Sequence, residues 1–216
     1  RHEGKEIGME GLAEQQQALF AKLHELGIAH TTKEHKQCFT VDDVESVAEE
    51  CQLQPQSGRC KNMFLKSKKG ELFVFSCQAQ AARDMKAISK KLGAPECRFA
   101  SDDYLSTVLK VVKGSVTPFA AINDTEAKAT IALDKDLLGE GTLWFHPLHN
   151  DKSTSISGAD LVTFLKAVGH EPKILDFSDV PPAGSAPPPA AKKPAKEGGG
   201  AKKEGAGGGG KKGGAR

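Results

Sequence analysis

No stretch of this chain approaches the roughly 18 apolar residues that a membrane-spanning helix requires, so no membrane partner is expected. The five cysteines, Cys38, Cys51, Cys60, Cys77 and Cys97, are odd in number and nowhere form a C-x-x-C pair. That usage argues against a disulfide framework or a thiolate zinc site and fits a reducing compartment, with the cytoplasm as the expected location. G-x-G-x-x-G, G-x-x-x-x-G-K-[ST] and G-x-S-x-G are all missing, so P-loop nucleotide hydrolysis and serine-hydrolase chemistry lose their usual signatures. No internal repeat is present. The chain starts at Arg1, which leaves a targeting segment upstream open.

What is there divides into two polymers. The chain has 216 residues and a formal net charge of +2. Residues 180–216 hold 11 of the 23 glycines, 6 of the 11 prolines, eight basic residues and two acidic ones, a net +6. The rest carries 22 basic and 26 acidic residues, a net −4. A segment of Gly, Ala, Pro and Lys without aromatics cannot bury enough apolar surface to offset its ordering entropy, so a disordered basic tail is expected. The remainder, about 170 residues, is the size of one domain with a real core. The expected division is a flexible N-terminus over 1–9, a folded domain over 10–176 and a tail over 177–216.

Along the body, Leu12, Leu19, Phe20, Leu23 and Leu26 recur at helical spacing, closed by Gly27. Ile28–Lys33 reads as a short strand. Thr40 suits the N-cap of a second helix with Val44, Val47, Ala48 and Cys51 as its buried stripe, ended by Pro55 and Gly58. Asn62–Lys66 and Glu71–Cys77 form a hairpin about Ser67-Lys68-Lys69-Gly70. Ala82, Met85, Ile88 and Leu92 mark a third helix, and Cys97–Ala100 a short strand. Ser101-Asp102-Asp103 caps a fourth helix running through Val112 to Gly114. Phe119–Ile122, Ala129–Leu133, Thr142–Phe145 and Ser155-Ile156 read as strands, and Ser157 caps a last helix ending at Gly169. The elements do not alternate strictly, so the expected fold is α+β, a single domain with a mixed, mostly antiparallel sheet surrounded by helices.

Most local motifs have plain readings. His146 and His149 lack a third ligand and are separated by Pro147, so no metal is expected, and no cofactor. Asp102-Asp103 suits a helix N-terminus, and Lys66, Lys68 and Lys69 a solvated hairpin tip. Gly114-Ser115-Val116-Thr117-Pro118 is either a helix terminator or a rigid loop whose outward N–H groups hold a ligand carbonyl or amine. Lys61-Asn62 either marks the solvent end of a strand or pairs a phosphate with Lys61 and a polar group with Asn62.

In order along the chain, Cys38-Phe39-Thr40-Val41, Lys61-Asn62-Met63-Phe64-Leu65, Gly114-Ser115-Val116-Thr117-Pro118 and His146-Pro147-Leu148-His149-Asn150 resemble the YbaK/ProX family of aminoacyl-tRNA editing domains. The family is related to the insertion domain of bacterial prolyl-tRNA synthetase. The likeness covers roughly residues 10–172 and points to its freestanding alanyl-tRNA(Pro) deacylases. It implies an α+β fold and hydrolysis of mischarged alanyl-tRNA(Pro) in trans. It also implies tRNA as partner, prolyl-tRNA synthetase or a synthetase complex as a further one, and no DNA.

By the same resemblance Lys61 engages the phosphate or ribose at the tRNA 3′ terminus and Asn62 lies near the substrate. Gly114 and Pro118 are the fixed ends of a loop that shapes the pocket, and His146 and Asn150 belong to the H-P-L-x-N segment. Thr40 lies near the pocket, Met63 replaces the family's usual Leu, and His149 fills a variable position. An aminoacyl ester is already activated, so positioning of ester, water and ribose hydroxyl suffices, with oxyanion stabilisation expected from the amides of Gly114 and Ser115. Lys61, Gly114 and His146 are therefore the expected catalytic residues, and Thr40, Asn62, Ser115, Pro118 and Asn150 the expected substrate-binding ones. Lys192, Lys193, Lys196, Lys202, Lys203, Lys211 and Lys212 of the tail either contact tRNA phosphates or only solubilise the chain. Two alternatives stay open: another small mischarged amino acid (cysteine or serine), and a silent tRNA- or synthetase-binding module.

Overall fold

The computed structural model describes residues 9–38, 41–55, 58–139 and 141–180. Thr40 and the tail lysines lie outside these described residues. Strands and helices are mixed as expected, and four of the six strand pairings are antiparallel. They build two sheets where one was expected. The larger has the order β4-β2-β3-β5-β8, with β2 Cys60–Lys66, β3 Leu72–Gln78, β4 Arg98–Phe99, β5 Ala129–Asp134 and β8 Lys173–Leu175. The smaller runs β1-β7-β6, with β1 Thr32–Glu34, β6 Thr142–Phe145 and β7 Lys152–Ser157. A single parallel bridge between Arg59 and Trp144 joins the start of β2 to β6.

The hairpin forms about the expected turn, and its register sets Lys61 opposite Cys77 and Asn62 opposite Ser76. Because side chains alternate along a strand, Phe64 of β2 enters the main core while Leu65 enters a second one under α3 (Met85–Leu92). Helix α1 (Met9–Glu25) buries Leu19 and Leu23, and its buried Gln16 donates from Nε2 to the carbonyl of Pro147 at 2.9 Å. That bond ties the helix to the segment after β6. Helix α2 spans Val41–Glu50, and α5 (Gly158–Ala167) is capped by Ser157 as its sequence requires.

Four elements differ from expectation for local reasons. Phe119–Ile122 is no strand: Pro118 opens a 3₁₀ helix, Pro118–Asn123, whose first turn is capped by the Thr117 hydroxyl accepting from the Phe119 N–H. Proline's fixed φ suits that first helical position. The fourth helix is one α-turn (α4, Asp102–Tyr104) widened into a π-turn over Leu105–Leu109, and it ends at Lys110 in the left-handed region, short of Val112. The strand expected over 28–33 is confined to Thr32–Glu34. Strand β8 was not foreseen.

The folded body also reaches past the expected boundary at 176. Phe177 is buried, 5.8 Å from the Phe75 ring and 4.7 Å from the Arg83 guanidinium. Arg83 in turn holds buried Asp134 at 2.8 Å and Asp136 at 2.7 Å, which fixes the turn between β3 and α3. Asp179 pairs with Lys91. Substitution Phe177→Ala is expected to lower the unfolding free energy by about 3 kcal/mol in urea denaturation; a change below about 0.5 kcal/mol would return Phe177 to the tail.

Candidate active site

The most completely buried ring cluster of the core stands directly behind the site. Phe119 of the 3₁₀ helix meets Phe145 edge-on at 5.9 Å and Phe164 at 5.5 Å. Such contacts contribute roughly 0.5–1.5 kcal/mol each beyond their burial. They pin the chain on either side of two segments, the loop before Pro118 and the segment after Phe145. Those segments carry Gly114 and His146.

Two adjoining cavities open here, of about 240 Å³ and about 430 Å³, and both are lined by Cys60, Asn62 and His146. The smaller lies towards α2, Arg59 and Trp144; the larger is walled by Phe64, Leu105, Val116 and Gly114. The shared wall follows from strand alternation, since Cys60 and Asn62 leave the same face of β2.

Each shared group is held in a defined state. Asn62 Oδ1 accepts from the buried Ser76 hydroxyl at 2.7 Å, which leaves the Asn62 NH₂ without a partner among the described residues. His146 Nδ1 lies 2.9 Å from the Lys152 carbonyl, so Nδ1 carries the proton and Nε2 keeps its lone pair in the neutral ring. Burial, chiefly, with help from His35 and His149, pushes the His146 pKa below its ordinary value against the pull of that carbonyl and Asp151. His35 stands 6.1 Å from His146, its Nε2 bonded to the Ser153 hydroxyl and its Nδ1 to the Lys36 carbonyl. The Cys60 thiol donates to the Gly58 carbonyl, and burial drives its pKa far upward; the Cys38 thiol is raised for the same first reason. Neither sulfur in the cavities is therefore a ready thiolate.

Of the expected residues within the described range, the fold brings Asn62, Gly114 and His146 together, while Lys61, Ser115, Pro118 and Asn150 line neither cavity. Lys61 leaves β2 on the opposite face, where its ammonium sits 2.5 Å from the Ala81 carbonyl; it lines neither cavity. Ser115 is fully buried, its N–H already donated to the Val112 carbonyl at 3.0 Å and its hydroxyl unpaired. Three amides of the loop, those of Gly114, Val116 and Thr117, have no acceptor among the described residues, and Gly114 and Val116 line the larger cavity. Pro118 is buried as the first residue of its helix. Asn150 is 2% exposed and acts as a strut, donating from Nδ2 to the Cys38 carbonyl at 3.0 Å. Gly114 has φ +86°, and a Cβ there would lie 3.3 Å from that same Asn150 nitrogen.

Sequence reasoning missed Cys60, His35 and Arg59. Cys60 was recoverable from the alternation with Asn62 and Phe64. His35 and Arg59 reach the site through pairings with β7 and β6, which no local pattern announces. Arg59 borders the smaller cavity with its Nε shielded from solvent and unpaired.

The cavities gather a neutral imidazole, a carboxamide donor and backbone amides without acceptors, with no ready thiolate among the described residues, a set compatible with hydrolysis of an activated ester. Comparison with known proteins gives the family. Residues 38–164 match the aminoacyl-tRNA editing domain. The prolyl-tRNA editing protein ProX of Acetoanaerobium sticklandii is 32% identical over 161 residues, covering 74% of this chain and 96% of its own. Prolyl-tRNA synthetase associated domain-containing protein 1 of Danio rerio is 35% identical over 158 residues, covering 72% and 83%. A solved structure described as a candidate trans-editing enzyme for prolyl tRNA synthetase shares the fold with a TM-score of 0.58, at 15% identity over 75% of this chain and 95% of that one. The chain belongs to the aminoacyl-tRNA editing domain family, and its enzyme class is that of an aminoacyl-tRNA deacylase.

The buried imidazole gives a direct check. In an NMR titration His146 is expected to protonate with a midpoint below 6.5 and to show the Nδ1–H tautomer at neutral pH. A midpoint at or above that value contradicts burial as the dominant influence.

Proposed function

We propose that this protein hydrolyses alanyl-tRNA(Pro) in trans, releasing free alanine and tRNA. The observation that carries the reading is the convergence of His146, Asn62 and Gly114 on one cavity beside apolar Phe64, Leu105 and Val116. In this reading the ester carbonyl lies against the Gly114 and Val116 N–H groups, which stabilise the oxyanion as water adds. His146 Nε2, unprotonated, accepts a hydrogen bond from the attacking water. The Asn62 NH₂ holds a substrate oxygen. The apolar wall receives the alanine methyl, and a bulkier side chain is excluded by overfilling.

Lys61 engages the phosphate or ribose at the tRNA 3′ end by leaving the Ala81 carbonyl. The neighbouring Ala79 and Gln80 border the smaller cavity, so the ammonium starts one residue from it. Association with prolyl-tRNA synthetase is part of the proposal and is supported by the name of the Danio rerio relative. Broad capture of tRNA phosphates falls to the basic tail, because the body is acidic overall.

A deacylation panel with alanyl-, cysteinyl-, seryl- and prolyl-tRNA(Pro) tests the reading. Selective loss of the alanyl ester supports it; cysteinyl or seryl preference transfers the assignment to that amino acid, and no hydrolysis of any leaves a binding module. His146→Ala is expected to cut turnover at least about 100-fold, and Lys61→Ala to raise KM. If both variants deacylate alanyl-tRNA(Pro) at the parent rate, the site assignment is wrong. Because the folded pKa is lowered, the neutral ring persists below the ordinary value, so kcat/KM should stay flat through neutrality and fall only below about pH 6.5.

Removal of residues 181–216, measured as tRNA affinity at two salt concentrations, tests the tail. A weaker, less salt-dependent affinity is expected. An unchanged one removes the tail from the mechanism.

A further inference from the structure

Phe99 is the most exposed large apolar side chain among the described residues, at 68%. It sits on β4, the edge strand of the larger sheet, paired on one side only, through Leu65. An exposed phenyl ring costs solvation free energy and contributes nothing to this core. Its position is specific. Phe99 borders the larger cavity of the active site on one side and a second groove of about 570 Å³ on the other, the latter running past Lys66, Lys68 and Arg98.

The charges around the ring are sorted. Lys66 is occupied by Tyr104, its ammonium 2.5 Å from the hydroxyl and 4.3 Å from the ring centroid. Lys68 pairs with Glu96 at 3.2 Å. Arg98, next to Phe99, and Lys113, on the rim of the larger cavity, have no ion pair among the described residues. Asp102 is the one carboxylate lining that cavity. An exposed aromatic face at the mouth of a catalytic cavity, with an unpaired cation on either flank, is the arrangement that takes a nucleobase on the ring and phosphates on the cations.

We propose that Phe99 is a stacking platform for a base of the single-stranded 3′ end of the substrate tRNA, with Arg98 and Lys113 contacting the adjoining phosphates. The proposal rests on the deacylase reading and deepens it, because it says how an acidic body holds an RNA end. The platform grips the strand immediately outside the cavity, so the ester at its terminus reaches Gly114 and His146. Stacking does not depend on base identity, so this contact supplies grip and leaves selection to the cavity.

The test uses the full chain with uncharged tRNA(Pro) carrying 2-aminopurine at its terminal or penultimate position. Binding of the parent protein should quench the probe; Phe99→Ala should abolish the quenching and raise Kd at least about fivefold, while Phe99→Trp restores both. Arg98→Gln and Lys113→Gln should each reduce the slope of log Kd against log salt by about 0.7. In deacylation, Phe99→Ala should raise KM and leave kcat within about twofold, a split that loss of folding does not produce. Unchanged quenching and affinity in Phe99→Ala overturn the platform, whether the ring then serves a protein partner or nothing. Because the fluorescence readout needs no turnover, a parent protein that quenches yet hydrolyses no ester sinks the deacylase reading and leaves the platform standing. One that hydrolyses alanyl-tRNA(Pro) without quenching does the reverse.

Discussion

The carboxamide of Asn150 joins three segments that are remote in sequence. It donates to the carbonyl of Cys38, it follows His146 in the turn between β6 and β7, and it fills the space where a side chain at position 114 would stand. A buried amide in such a place must be satisfied, because an orphaned one costs about 1–3 kcal/mol. Its bond therefore ties the segment between β1 and α2 at Cys38 to the glycine loop and the histidine. The ring cluster of Phe119, Phe145 and Phe164 then holds the outer ends of the same segments. Remove the strut, and the loop and the histidine lose their common reference.

This division of labour explains why so few functional groups face the cavities. Ser115, Pro118 and Asn150 shape the wall from behind, while Gly114, Asn62 and His146 form its surface. A loop whose glycine must adopt φ +86° and whose proline starts a helix is rigid at both ends. A backbone held that firmly beside the cavity meets the first requirement of oxyanion stabilisation, donors that need not reorganise as charge develops. The reaction class demands little else, because the ester brings its own activation.

Much of this was legible in the residues. The hairpin about Ser67-Lys68-Lys69-Gly70 and the helix cap at Ser157 follow from periodicity and turn chemistry, while the set of segments that meet at the site came from the family resemblance. The failures have separate physical causes. The run Phe119–Ile122 has the composition of a strand, yet proline and a threonine cap decide its first turn, and burial in the core explains its apolarity. Lys61 and Asn62 are neighbours in sequence and were read as one feature; a strand sends them to opposite faces, and only the pairing partner decides which face meets the histidine. Phe177 lies beyond the last clear helix, where composition already drifts towards the tail, so its packing against Phe75 and Arg83 had no local sign.

The thiol of Cys60 stands at the junction of both cavities, donating to the Gly58 carbonyl with its ionisation strongly suppressed by burial. Sulfur reacts with peroxides and electrophiles through its anion, and this one is withheld. One of the three residues shared by both cavities is thus held as an unreactive thiol. In the pocket the Cys60 side chain therefore serves as a neutral wall group, its proton donated to the Gly58 carbonyl, and not as a nucleophile.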